Sequence, residues 1–101
     1  MAFDLYLGKE RAFIDIHEEV LFSLINENDQ FPNLNWLWQN YYESPLISPE
    51  RANDIIHELI KLLDEINNKS QYKQVKNTID RILPFISKAY KENTQIECSS
   101  D

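Results

Sequence analysis

The residues equipped for chemistry are few: two histidines, His17 and His57, one cysteine, Cys98, and acids recurring at helical spacing. His17 falls in an apolar stripe and His57 on an acidic ridge, so spacing does not make them a general acid/base pair, and structural roles are the favoured reading. His57-Glu58-Leu59-Ile60-Lys61 lacks the second histidine of a zinc-protease helix. A helical di-metal site needs two Glu-x-x-His elements, where this chain offers only Asp54-Ile55-Ile56-His57. There is no Gly-x-Ser-x-Gly, no Cys-His pairing and no glycine-rich phosphate loop. The expectation is therefore no catalytic residue, no metal and no cofactor. Cys98 has no second cysteine to pair with and reads as a bystander in a polar tail. What is left is carboxylate chemistry. Asp15, Glu18 and Glu19 form one group and Glu50, Asp54 and Glu58 another, read as outward-facing, with Glu50/Asp54 and Asp54/Glu58 at the four-residue spacing that costs roughly 0.2–0.5 kcal/mol per like-charged pair. An array that repels itself is suited to a cationic partner.

Charge distribution supports that reading. The chain of 101 residues carries −7 overall. Residues 1–60 hold eleven acids and three bases, whereas residues 61–101 hold six acids and seven bases. Phosphate backbones and anionic lipid would be repelled by the acidic part, so neither nucleic acid nor membrane is an expected partner. No stretch approaches the roughly 20 apolar residues of a membrane span and the N-terminus lacks a basic leader, so a cytoplasmic protein is expected. With 43% hydrophobic residues the chain supports one core, and its single glycine, Gly8, argues against tight hairpins and β-rich architecture.

The elements that must position these carboxylates follow from periodicity. Phe3, Leu5 and Leu7 alternate with Ala2, Asp4 and Tyr6, but no second alternating run is evident, so residues 2–7 read as an extended arm docked on the helices or as an irregular first turn. A first helix is expected over Glu10–Asn26, with Phe13, Ile14, His17, Val20, Leu21, Leu24 and Ile25 inward; Glu27 and Asp29 follow it, where acids meet the negative end of the helix dipole. Phe31-Pro32-Asn33 opens a short aromatic helix in which Leu34, Leu37, Trp38, Tyr41 and Tyr42 share a face and Trp36 points elsewhere, packed beneath the arm or free for a partner. Ser48 is an N-cap, Pro49 sits at the first helical position, and Ala52, Ile55, Ile56, Leu59, Leu62, Leu63 and Ile66 draw one stripe down a helix ending near Asn67-Asn68. A last helix capped by Ser70 runs to about Asn93, kinked or broken near Arg81 to Leu83 by Pro84. The expected architecture is all-α: a single domain, residues 1–93, of about four helices with a short N-terminal arm, and a disordered tail, residues 94–101.

The run Trp38-Gln39-Asn40-Tyr41-Tyr42-Glu43-Ser44-Pro45-Leu46-Ile47-Ser48-Pro49-Glu50 leading into an amphipathic helix resembles a pattern in small bacterial immunity proteins, made beside secreted toxins such as those of contact-dependent growth inhibition. The resemblance covers about a third of the chain. It implies a cytosolic helical inhibitor that binds a toxin's C-terminal nuclease domain and covers its active site. It transfers no individual residue; the candidate contacts, Asp15, Glu18, Glu19, Glu50, Asp54, His57 and Glu58, with Trp36 and Tyr42 as apolar anchors, come from charge and aromatic character alone. The alternative is an acidic regulatory adaptor or nucleic-acid mimic, for which −7 with a near-neutral last third is thin.

Overall fold

Phe3, Leu5 and Leu7 do alternate into a core, and the strand they form, β1 (Phe3–Leu7), is paired on both sides. In a computed structural model, which describes residues 3–66 and 69–100, the chain is α+β rather than all-α. β2 (Glu10–Ile14) returns antiparallel to β1 with Leu7 opposite Glu10. Gly8, at φ +62°, makes that two-residue turn, so the chain's single glycine sits where a hairpin needs positive φ. α1 (Val20–Ile25), α2 (Pro32–Gln39), the two-residue β3 (Leu46–Ile47), α3 (Pro49–Ile66) and α4 (Lys73–Lys91) follow, and β4 (Ile96–Ser100) then inserts between β1 and β3. The sheet order is β2-β1-β4-β3, antiparallel throughout.

Three expectations are overturned here. Phe13 and Ile14 do not begin a helix; they end β2, and only a short 3-10 turn, Ile16–Glu19, precedes α1. His17 is exposed on that turn, outside any apolar stripe. Residues 96–100 are not a patternless tail but a central strand, with Ile96 and Cys98 buried against Ile47 and Leu5 across the ladder. Asp101 lies outside the described residues, as do Ala2 and the Asn67-Asn68 pair expected to close α3. The reversal that feeds β4 is a helix C-terminus: Asn93, at φ +53°, donates its amide to Tyr90 O and Thr94 donates to Ala89 O, the paired bonds of a Schellman motif with asparagine in glycine's place.

The helix α3 matches its sequence pattern, whereas α4 departs from its own in two respects: Ser70 does not cap it and Pro84 does not break it. Ser48 Oγ accepts the Arg51 amide at 3.2 Å, Pro49 opens α3, and Ala52, Ile55, Leu59, Leu62 and Ile66 are buried. α4 is entered through a second 3-10 turn, Ser70–Tyr72, without a side-chain cap, and passes through Pro84 as one continuous helix, Pro84 itself being exposed. α3 and α4 pack on each other, and the helices cover the sheet face bearing Phe3, Leu5, Leu7, Ala12 and Ile14; Tyr6, Arg11, Leu46 and Glu97 alternate onto the other face. Tyr41 is the hub of the aromatic cluster: it stacks on Phe3 at 4.2 Å, meets Phe22, Trp38 and Tyr42 edge-on, and donates its hydroxyl to Glu19 Oε2 at 2.9 Å. Tyr41, rather than Trp36, is thus the aromatic stacked on β1.

α2 has no local cap, because Phe31 precedes it and Pro32 has no amide hydrogen. Its free end is taken by α3: Glu58 Oε2 accepts the Asn33 amide at 3.0 Å and Oε1 accepts the Leu34 amide at 2.9 Å. Glu58 also accepts from Asn33 Nδ2 at 2.7 Å. One buried carboxylate satisfies the helix start and complements its dipole. Replacing Glu58 with alanine is expected to cost about 2–3 kcal/mol, read as a lower denaturant midpoint at unchanged slope, with Glu58→Gln losing less. Cys98 is buried, which pushes its thiol up to about 12, so the folded protein should resist thiol labelling at neutral pH and react fully once unfolded in guanidinium.

Candidate protein-binding face

The acids expected to form one recognition surface divide into two populations. Asp15 is the half-buried N-cap of the first 3-10 turn, in a capping box with Glu18. Glu18 is buried rather than outward-facing: it accepts the Asp15 amide at 2.9 Å and the Thr78 hydroxyl at 2.7 Å, and is ion-paired to Arg81 of α4. Arg81 also donates to Phe13 O and lies over the Phe13 ring, tying β2, the turn and α4 together. Burial alone would push the Glu18 carboxyl up; the Asp15 amide, the Thr78 hydroxyl and the Arg81 guanidinium outweigh it, and the net shift is down. Glu19 is half-buried and holds the Tyr41 hydroxyl, whose ionisation is pushed up by burial and by that carboxylate. Glu58 caps α2. These four act within the fold.

Glu50, Asp54 and His57 are exposed on α3 as expected, and among the described residues neither Glu50 nor Asp54 has a cationic partner. Asp64 and Glu65 extend the exposed acids along the same helix beyond Lys61. Tyr42 is 64% exposed, not part of the buried aromatic face. Trp36 is half-buried, and the Arg51 guanidinium sits over its ring at 3.8 Å while donating to Asn33 Oδ1 at 2.9 Å. Arg51 therefore joins the start of α3 to the exposed side of α2. Sequence reasoning gave no role to Asn35, whose side chain fastens the loop between α1 and α2. Its only sequence signal was an asparagine on a short helix beside a polar loop.

The described residues contain one set of three side chains close enough to share a metal ion, Asp15, His17 and Glu18, with potential ligand atoms within 4.8 Å of one another. Both Glu18 oxygens already have hydrogen-bond donors, and Arg81 puts a positive charge beside them, so the arrangement fits an ion-paired structural network. The histidines lie on different elements, His17 on the turn before α1 and His57 on α3. The described helices include none long and apolar enough to cross a membrane. Comparisons with protein-family models, with characterised proteins and with solved structures yield no match to this chain.

The Glu18 carboxyl ionises more readily in the folded protein than in the unfolded chain. Its stabilisation is therefore present above the ordinary carboxyl range and lost as pH falls through the folded value. The thermal midpoint should decline on acidification below about pH 5, and Glu18→Gln should lower it at neutral pH while flattening that acid limb.

Proposed function

We propose that this chain is an immunity-type inhibitor, a cytoplasmic protein that binds a cognate secreted toxin and covers the active site of its basic, nuclease-class domain. The observation that carries the reading is the exposed ridge of α3, where among the described residues neither Glu50 nor Asp54 is ion-paired, on a chain of net charge −7. Such a surface steers a positively charged partner, while like charges turn nucleic acid away. Tyr42, amphipathic and exposed, offers an apolar anchor of the kind that dominates binding energy at interfaces. Inhibition by cover needs no reacting group, only a rigid face and complementary charge. Packing of α3 on α4 and the capping of both α2 and α3 provide rigidity. Glu18, Glu19 and Glu58 support the face from within rather than touching the partner.

With the toxin domain encoded by the adjacent reading frame, the Glu50→Lys/Asp54→Lys double variant should associate about ten-fold or more slowly, while its melting temperature falls by only a few degrees because a lysine replaces the acid in the first turn of α3. Tyr42→Ala should mainly accelerate dissociation. Wild-type rates in the double variant, or no complex with that domain, would contradict the proposal.

A further inference from the structure

Glu27 and Asp29 are among the acids that neither the fold nor the α3 ridge employs, and they are the two that share one loop. They are exposed on the loop between α1 and α2, and among the described residues neither carboxylate has a hydrogen-bond donor or a cation. They stand just past the C-terminus of α1, where the helix dipole already disfavours negative charge. A shallow cavity of about 290 Å³ opens between this loop and α2, with Glu27, Asp29, Asn35, Trp36 and Gln39 in its wall and no basic residue among its lining. That volume falls at the lower limit of pockets for drug-sized ligands, roughly 300 Å³, and suits a single side chain better than a cofactor.

The cavity wall is fixed in place. Asn35 Nδ2 donates to Ile25 O at 2.9 Å, Phe31 O at 2.9 Å and Asn28 O at 3.2 Å, while its Oδ1 accepts the Glu27 amide at 3.1 Å. A loop whose backbone is wound around one amide side chain avoids the backbone ordering entropy that a mobile loop would lose on binding, leaving only the two exposed side chains to be ordered. The third component is the indole. Arg51 covers one side of the Trp36 ring and does not line the cavity, so the part of the indole that faces the cavity is left to an incoming planar cation, with Glu27 and Asp29 offsetting the Arg51 charge.

We infer that this cavity is a receptor for an arginine side chain of the partner, the guanidinium lying against Trp36 and its N–H groups donating to Glu27 and Asp29. An ammonium would satisfy the charge but not the stacking, and a neutral isostere the shape but not the charge, so arginine should be preferred over both lysine and citrulline. The inference deepens the inhibitor reading by naming one contact and its chemistry.

The test is a titration of the whole isotope-labelled protein, followed by NMR, with the blocked single amino acids N-acetyl-arginine, N-acetyl-lysine and N-acetyl-citrulline methylamides. Arginine should move the Trp36 indole N–H, assigned with Trp36→Phe, and the amides of residues 27–29 in a saturable way, with a dissociation constant on the order of millimolar, as one side chain allows. Lysine should bind several-fold more weakly and citrulline at least ten-fold more weakly. Glu27→Gln/Asp29→Asn, exposed positions whose replacement leaves the Asn35 bonds to the backbone intact, should abolish the arginine effect. No saturable shift, an equal response to citrulline, or full binding by the double variant would overturn the inference. If the toxin domain binds and this double variant binds it equally well, the cavity assignment fails and the inhibitor reading stands; if arginine binds but the toxin domain does not, the reverse holds.

Discussion

A carboxylate taken out of water must be given donors, and that requirement organises this molecule. Glu58 is drawn inside because α2 begins with a proline and has no cap of its own; the carboxylate supplies both missing acceptors and fixes the angle between α2 and α3. Glu18 is drawn inside where β2 ends, and there an amide, a hydroxyl and a guanidinium meet it from the turn and from α4. Asp4, buried on the sheet's other face, is held by Arg11 from the neighbouring strand. Glu58 and Glu18 join elements distant in sequence and Asp4 joins the two strands of one hairpin, and losing any of them would leave donors unpaired rather than merely remove a contact.

Sorting the acids in this way defines the surface. Once Glu18, Glu19 and Glu58 are assigned to the fold, the exposed acids with no ion pair among the described residues fall mostly on α3 and on the loop before α2, with Glu43 and Glu97 apart from them, while α4 carries much of the balancing positive charge, with Lys76 and Lys88 already paired to Asp80 and Glu10. Arg51 and Trp36 lie between the two acidic sites and connect them through one stacked pair. The face is therefore built from two acidic patches flanking an aromatic, not from one continuous stripe.

What could be read from the chain followed where local signals agree with tertiary packing. The start of α3 was legible because Ser48, Pro49 and Glu50 each favour a helix start for a separate reason, and its apolar stripe is long enough to be unambiguous. The alternation of Phe3, Leu5 and Leu7 was legible, but with no visible partner it read as a docked arm, whereas it forms a strand paired on both sides. β2 contributes only Ala12 and Ile14 to the core and runs directly into a helical segment, so its few apolar residues also satisfy a helical period. β4 shows one turn of alternation, Ile96-Glu97-Cys98, and draws its stability from β1 at the opposite end of the described chain. The scarcity of glycine misled in the same direction, because Ser44 and Asn93 take positive φ at reversals where glycine is usual. At the candidate site, a buried glutamate is indistinguishable in sequence from an exposed one at the same helical spacing. Burial depends on which amides lack acceptors in another element, a property of the assembled fold.

On the inhibitor proposal the exposed carboxylates attract a basic protein rather than merely keep the chain in solution, and the decisive measurement is the association rate of the wild-type protein with a basic toxin domain encoded in the neighbouring frame, as a function of ionic strength. Long-range attraction requires that rate to fall about ten-fold or more between low and high salt while the dissociation rate changes little. An association rate indifferent to salt would mean that the exposed carboxylates of α3 do not draw the partner in.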